Sequence, residues 1–472
     1  MRATDRLRSE GRCETACWGA DRAVQPKTRH GRRYPVSNYQ RMLLELASDP
    51  ATSELYHEAN IIRWALRISP ALPERTMRRA FTALVERHDS LRLQFVRGPD
   101  DWEAEILASH PKGLVVKDVS DLAAAEQDAA IQAYAITPMT ALSDCLFELV
   151  LFKCGQAGDV LMFRVQHAII DGYSVAILIE DLLKIVLRTP FRGPAPSHGE
   201  FIARRLAAIE KNFDEKMSYW ESRLLPIPEP LNLGRRAKGL PPLTLQNIGK
   251  FHTLQQILPS EIADGLDALA RSSGISAYCY LYAAYCQTIL ELGNQEEVIV
   301  RSVISRLDSQ MAAFVGAEVQ AIFLKVGQRE EPLDALANTF SEKLAEGLEY
   351  LPISMMGAHS KIREEYHAKE GTDCRFFVHI PNPTGRMSNS PFRKLFDEVG
   401  KGKLSLGALS IERFHLVNET GSDCELRLNL VHEDGVVNAE LLGDRGGYSI
   451  GDLESIALGI VKRVAEHCGT KT

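Results

Sequence analysis

A proline-rich stretch divides the chain into two parts that repeat the same mixture of strands and helices. It reads LLPIPEPLNLGRRAKGLPPL and starts at residue 224, and closely spaced prolines and glycines are typical of a linker. On each side of it, apolar strand-like runs alternate with amphipathic helical patterns. A chain of 472 residues is long enough for two such units. The sequence therefore predicts two α/β sandwiches, over 34–225 and 246–472, joined by a linker over 226–245.

The first 33 residues differ from the remainder. Basic residues outnumber acidic ones there, and no periodic apolar face is present. The apolar core of a secretory signal is also missing. We expect 1–33 to be a loosely ordered extension, or the result of a start codon placed too early.

Composition and charge exclude several classes of protein. A net charge of −7 argues against a general nucleic-acid binder, and no apolar run reaches the roughly 18 residues of a membrane span. The nine cysteines are scattered and odd in number, which fits a reducing compartment better than secretion. Cys13 and Cys17 have no second close pair, so a zinc site there is not expected. We expect a cytoplasmic monomer without a nucleic-acid or membrane partner.

The familiar cofactor and nucleophile motifs are missing. The sequence holds no G-x-x-x-x-G-K-[ST] loop, no H-E-x-x-H and no G-x-S-x-G elbow. The glycine-rich run at 400–407 breaks the dinucleotide-binding spacing. Without a protein nucleophile, the simplest chemistry is the direct attack of one substrate on the activated carbonyl of another.

One stretch offers a group for such chemistry, RVQHAIIDGYS at 164–174. His167 follows an apolar strand, and an imidazole with an unperturbed pKa near 6.5 suits proton transfer at neutral pH. Asp171 lies four residues on, Gly172 would allow a sharp turn or the close approach of a ligand, and Ser174 could cap the next helix. A hydrogen-bonded structural histidine would show the same spacing, so the motif alone leaves both interpretations open.

Two helices near this stretch are predicted from local patterns. Ser37 is suited to cap a short amphipathic helix that starts at residue 38. A single long helix with a polar face is expected over 198–224.

The 164–174 stretch resembles the H-H-x-x-x-D-G signature of nonribosomal peptide synthetase condensation domains. Further segments resemble that family in the same order along the chain, so that the resemblance covers about 34–470. These segments are SNYQRMLLEL (37–46), RHDSLRLQF (87–95), SYWESRL (218–224), VISRLDS (303–309), FVGAEVQAIFLKV (314–326) and YLPISMM (350–356).

The resemblance implies an α/β fold of two chloramphenicol-acetyltransferase-like halves, arranged as a V-shaped pseudodimer with a central tunnel. It also implies an acyl donor carried on the phosphopantetheine arm of a partner carrier protein, or on coenzyme A, with no cofactor bound by the chain itself. His167 corresponds to the second signature histidine, which acts as base or orients the attacking amine.

The same resemblance assigns roles to the neighbours of His167. Asp171 is expected to support the loop by pairing with an arginine, Arg306 by position or Arg92 as the alternative. Gly172 is expected to let its backbone approach the reacting carbonyl. Side chains expected to line the channel are Tyr173, Ser305, Gln320 and His379.

The chain departs from the family pattern in three places, the last of which covers two residues. Gln166 replaces the first signature histidine, and a glutamine amide can make hydrogen bonds but cannot titrate near neutrality. Ser305 replaces a glycine, and Gln320 with Ala321 replaces Asn-Thr. We expect Gln166 to support the site rather than to take part in the chemistry.

No adenylation, carrier or thioesterase motif is found, so the resemblance implies a free-standing condensation enzyme that forms an amide from a carrier-bound acyl group and an amine. Two alternatives remain open. One is an ester-forming or acyl-coenzyme-A-dependent acyltransferase, and the other is a condensation-like protein that recruits a partner without catalysis.

Overall fold

The computed structural model describes residues 33–50, 60–139, 142, 144–191, 193–241, 250–304, 313–317, 320–327, 331–353, 361–362, 364–365, 379–382, 395, 403–416, 425–433 and 436–469.

The elements before the proline-rich stretch are β1 (Arg33–Pro35), α1 (Asn38–Ser48), β2 (Ile61–Ser69), α2 (Glu74–Arg87), β3 (Leu93–Arg97), β4 (Trp102–Ile106), β5 (Val115–Asp118), α3 (Ala124–Ala135), β6 (Phe147–Lys153), β7 (Asp159–Gln166), α4 (Gly172–Val186), α5 (His198–Glu210) and α6 (Phe213–Leu224). Those that follow are α7 (Gly234–Ala237), β8 (Phe251–Leu254), α8 (Ser260–Ser273), α9 (Ala277–Gly293), β9 (Val298–Ile304), β10 (Gln320–Val326), α10 (Leu333–Glu349), β11 (His379–Asn382), β12 (Lys403–Leu406), β13 (Leu409–Phe414), β14 (Leu426–Glu433), β15 (Val436–Asp444) and α11 (Ile450–Cys468).

Two large sheets organise the described residues. The first has six strands in the order β12-β13-β2-β7-β6-β5, and the second has six in the order β10-β9-β11-β14-β15-β8. Both are mixed: β5 runs parallel to β6 in the first sheet, and β11 runs parallel to both of its neighbours in the second. Strands and helices thus combine on both sides of the proline-rich stretch, which confirms the predicted α/β class.

Strand β7 lies at the centre of the first sheet, and all of its residues are buried. Leu161, Phe163 and Val165 pack in one core with α2 and α4. Val160 and Met162 pack on the opposite face in a second core that includes residues of α3. Because successive side chains of a strand point to opposite faces, this two-sided burial explains why β7 reads as a nearly continuous apolar run.

The second sheet is covered by helices built around α9. Nearly every residue of α9 is buried, and the core around it contains residues of α8, α10 and α11. A helix that is apolar on all sides is stable only when other elements surround it. Among the described residues, no helix is long and apolar enough to cross a membrane.

Each core takes residues from both sides of the predicted linker. Strand β13 pairs with β2 in antiparallel fashion, with Ser410 opposite Ser69, and β12 pairs with β13. The late strands 403–414 therefore extend the first sheet. In the other direction, Trp220 of α6 is buried in the core of the second sheet. The predicted boundaries of the two halves stay a prediction.

The single helix predicted over 198–224 is wrong, because the chain breaks between α5 and α6. Asn212 has φ 57° and ψ 32°, a left-handed conformation that asparagine tolerates better than most residues. Phe201 in α5 packs on Phe314, whereas Trp220 in α6 is buried in the core of the second sheet. The break at Asn212 thus separates a helix that packs in a small cluster with Phe314 from a helix that packs in the core of the second sheet.

The described part of the proline-rich stretch is fixed to the turn between β15 and α11. Arg235 donates from Nε to Asp444 Oδ2 at 2.8 Å, and this carboxylate is fully buried. Lys238 donates to the carbonyl of Gly447 at 2.6 Å. Gly234 has φ +55°, and a Cβ there would come within 2.5 Å of the Tyr448 ring. Only glycine satisfies both the conformation and this close approach.

Candidate active site

His167 lies immediately after the central strand β7 and is half-buried. Its backbone N–H donates to the carbonyl of Asn60 at 2.7 Å. Tyr39 of α1 packs on the imidazole edge, with ring centroids 5.4 Å apart and an interplanar angle of 67°. The Tyr39 hydroxyl lies 3.3 Å from Nδ1 and 3.5 Å from Nε2. The backbone and Tyr39 therefore hold a partly accessible imidazole in place, an arrangement suited to proton transfer.

Helix α1 carries Tyr39 in a defined orientation because its first turn is capped. Ser37 Oγ accepts from the Gln40 backbone N–H at 3.1 Å, and Gln40 Oε1 accepts from the Ser37 backbone N–H at 2.9 Å. This reciprocal pair is a capping box. The predicted helix start after Ser37 is confirmed.

Asp171 caps α4 and closes the loop that begins at His167. Its buried carboxylate accepts from Ser174 twice through Oδ1, from the backbone N–H at 2.8 Å and from Oγ at 2.7 Å. The prediction that Ser174 caps α4 is wrong. Asp171 occupies the position before the helix, whereas Ser174 lies inside the first turn, where it supplies the donors rather than the acceptor.

Gly172 is exposed and is the first residue of α4. Its φ is not left-handed. The backbone conformation at this position therefore does not require a glycine, contrary to the expected sharp turn. A Cβ at this position would meet no atom within 4 Å. The close approach of a ligand to this backbone stays a prediction.

Gln166, the residue at the first signature position, is fully buried. Its Nε2 donates to the carbonyl of Met139 at 2.6 Å. Arg63 and Arg164 donate to two other carbonyls of the same segment, 135–139. Three side chains from β2 and β7 thus hold alternate carbonyls of this segment against the sheet.

A segment from beyond the linker contacts the loop directly. Ser174 Oγ lies 3.1 Å from both the backbone nitrogen and the carbonyl oxygen of Gly316. Since the hydroxyl has one proton and the Asp171 carboxylate is the closer acceptor, the Gly316 N–H donates to Ser174 Oγ. Val315 is buried in the core of the first sheet. The second part of the chain therefore helps to hold the loop at His167.

Of the remaining predicted site residues, the structure describes some completely and others only by their backbone or not at all. Arg306 and Ser305 lie outside the described residues. Gln320 and His379 begin β10 and β11, but their side chains lie outside the described structure. Arg92 donates to the backbone carbonyls of Val85 and Leu107, and Tyr173 is half-buried in α4.

Sequence reasoning missed the contacts of Tyr39 and Gln40 with the loop. Gln40 Nε2 donates to the carbonyl of Ala168, the residue after His167, at 2.9 Å. The S-x-x-Q pattern of α1 is the signal that could have found Gln40. Within the described ranges, no group of three or more histidine, cysteine, aspartate or glutamate side chains is placed to hold a metal ion.

Comparison with known proteins identifies the family to which the chain is similar. The model of the family described as "Condensation domain" matches residues 31–349. A linear gramicidin synthase of Brevibacillus parabrevis is 25% identical over 327 residues, which cover 66% of this chain but 4% of that protein. The chain spans between 4% and 10% of the length of the first four curated relatives.

Solved structures show the same fold. A four-domain nonribosomal peptide synthetase bound to AMP and glycine has a TM-score of 0.74 and 16% identity, over 95% of this chain and 34% of that one. The X-domain from teicoplanin biosynthesis has a TM-score of 0.72 and 17% identity, over 95% and 97% of the two chains; it has also been solved in complex with OxyB. The chain belongs to the condensation-domain family of nonribosomal peptide synthetases.

Proposed function

We propose that this chain transfers an acyl or aminoacyl group from a carrier-protein thioester to an amine and so forms an amide. The observation that supports this most is the position of His167. Its imidazole is partly accessible and is fixed by Tyr39, at the end of a strand whose following loop is closed by Asp171.

The reaction needs one proton acceptor and no covalent protein intermediate. The amine nitrogen attacks the thioester carbonyl carbon, the C–N bond forms, and the C–S bond breaks. His167 takes the proton that the amine loses, and the departing thiolate recovers a proton to leave as a thiol. A fixed histidine at the meeting point of the two substrates also supplies orientation, which lowers the barrier independently of its basicity.

The neighbours of His167 have supporting roles in this proposal. Asp171 holds the loop through Ser174, and Gly172 leaves open space where the thioester carbonyl would lie. Gln166 anchors the 135–139 segment from the buried face of β7. Arg306 is proposed as a second partner of Asp171.

The test is single-turnover release of thiol from an octanoyl-loaded carrier protein, with free amino acids and alkyl amines as acceptors and mass spectrometry of the products. We expect amide formation by the wild-type chain and a loss of roughly 100-fold or more in His167→Ala. The matched control is His252→Ala, since His252 lies on β8 at the edge of the second sheet. Equal rates in His167→Ala and wild type would refute the role of His167. Replacing the donor by octanoyl-coenzyme A, or the acceptor by an alcohol, separates the related reactions.

A second candidate function is recruitment without catalysis. It is favoured by the likeness to the teicoplanin X-domain, which was solved in complex with OxyB. Binding of the loaded carrier protein without thiol release, in both wild type and His167→Ala, would support recruitment and contradict acyl transfer.

A further inference from the structure

His198 is a buried histidine behind the candidate active site, and the proton transfer described above does not involve it. It is the first residue of α5 and is 1% exposed. Its ring stacks on Phe314 with centroids 5.7 Å apart, and a Cβ at Gly316 would come within 3.2 Å of its Nδ1. His198 therefore lies where α5 meets the segment that also contacts Ser174.

Its hydrogen bonding follows from the amide of Gln40. Gln40 Oε1 accepts from the Ser37 backbone N–H, which fixes the orientation of the amide. Gln40 Nε2 donates to the Ala168 carbonyl at 2.9 Å and lies 3.3 Å from His198 Nε2. An amide nitrogen only donates, so His198 Nε2 must accept and carries no proton.

The surroundings of His198 keep it in the required neutral form. Burial lowers the pKa of His198 to about 4, although the Asp89 carboxylate acts in the opposite direction. The two carboxylate oxygens of Asp89 accept from the His198 backbone N–H at 3.0 and 3.2 Å. Nε2 thus stays an acceptor at neutral pH, and Asp89 fixes the start of α5.

We propose that His198 is a positioning residue for the loop at His167, acting through Gln40. The His198 ring fixes the Gln40 amide, and that amide fixes the carbonyl of Ala168, the residue after His167. Its effect on turnover rests on the acyl transfer proposed above. Its effect on the loop does not, and the two can be measured separately.

The experiment compares His198→Gln, which supplies a side-chain acceptor near the original Nε2, with His198→Leu, which has none. On the octanoyl-carrier reaction, we expect His198→Leu to lower kcat about tenfold or more with KM changed less than about twofold, because a displaced general base loses orientation. We expect His198→Gln to retain kcat within about threefold. In hydrogen exchange measured by mass spectrometry, peptides that cover 166–171 should exchange at least about fivefold faster in His198→Leu than in His198→Gln.

Equal exchange of 166–171 in the two variants would overturn the proposal, as would a rise in KM without a fall in kcat. If the wild-type chain shows no turnover, the acyl-transfer proposal fails, and the exchange comparison alone decides whether His198 holds the loop. If His198→Leu does not fold, His198→Met takes its place, since it also lacks an acceptor for Gln40 and has a more flexible side chain.

Discussion

Replacing Asp171 and His167 by alanine should separate support of the loop from chemistry. Asp171 is buried, and Oδ1 of its carboxylate accepts both donors of Ser174. His167 is half-buried, and Nδ1 of its imidazole lies 3.3 Å from the Tyr39 hydroxyl. We therefore expect Asp171→Ala to reduce the stability of the fold, and His167→Ala to reduce turnover of a protein that stays folded.

The magnitudes follow from these contacts. Loss of an N-cap acceptor costs about 0.5–2 kcal/mol, and the hydrogen bond from the Ser174 hydroxyl to the carboxylate, which is also lost, is worth about 1.5–3 kcal/mol. Asp171→Ala should thus lower the free energy of unfolding by about 2–5 kcal/mol. Asp171→Asn keeps a side-chain oxygen that can accept from Ser174, so it should lose less. His167→Ala gives up a partly exposed contact and should cost about 1 kcal/mol or less.

The assay is urea unfolding followed by tryptophan fluorescence, together with single-turnover acyl transfer by each variant. Turnover should fall roughly 100-fold or more in His167→Ala, and that variant should unfold at nearly the same urea concentration as the wild type. Equal losses of stability in Asp171→Ala and His167→Ala would refute this division of roles. So would an Asp171→Asn variant that is as unstable as Asp171→Ala.

Three further outcomes are expected. Arg235→Ala should lower the free energy of unfolding by about 3–5 kcal/mol, measured in urea, because it leaves the buried Asp444 carboxylate without its ion-pair partner. Burial would raise the pKa of Asp181, but hydrogen bonds from His88 and Arg87 outweigh burial and lower this pKa below its usual value. Because the pKa is lower in the folded state than in the unfolded state, the carboxylate stabilises the fold above pH 3.8, and this stabilisation is lost as the pH falls below that value. The acid unfolding curves of wild type and Asp181→Asn should therefore converge at low pH. Gln166→Leu should cost about 1–3 kcal/mol in thermal or urea unfolding, and Gln166→His should cost less, because histidine can still donate to the carbonyl.

Local patterns predicted the α/β class, the start of α1 at Ser37 and the loop that carries His167. These features depend on short-range periodicity, capping and turn chemistry, which are determined by residues close together in the sequence. The choice between Asp171 and Ser174 as the cap of α4 could not be made in this way. Both residue types are good caps and lie in the same turn, so only the position of the first helical residue decides between them.

Strand pairings and side-chain contacts between segments that are distant in the sequence could not be predicted from local patterns. The run at 409–414 reads as a strand, but its own residues do not specify whether β2 or a strand of the second sheet is its partner. The contact between Gln40 and His198 joins residues that are 158 positions apart, and no local pattern indicates that the two side chains meet. The break at Asn212 was missed for a related reason: α5 and α6 bury their apolar faces in different cores, which is a property of the fold and not of the helical pattern.

The position of Gln166 on β7 is compatible with the acyl transfer proposed above in a chain that lacks the first signature histidine. Alternate residues of β7 face the core of α2 and α4, as Val165 does, or the 135–139 segment, as Arg164 and Gln166 do. Gln166 is thus directed away from the loop and contributes a donor to a buried carbonyl, a task that an amide and an imidazole can both perform. His167, the next residue, contacts Tyr39 on the other side. The substitution at 166 therefore changes how the sheet holds a neighbouring segment and leaves the proposed proton acceptor in place.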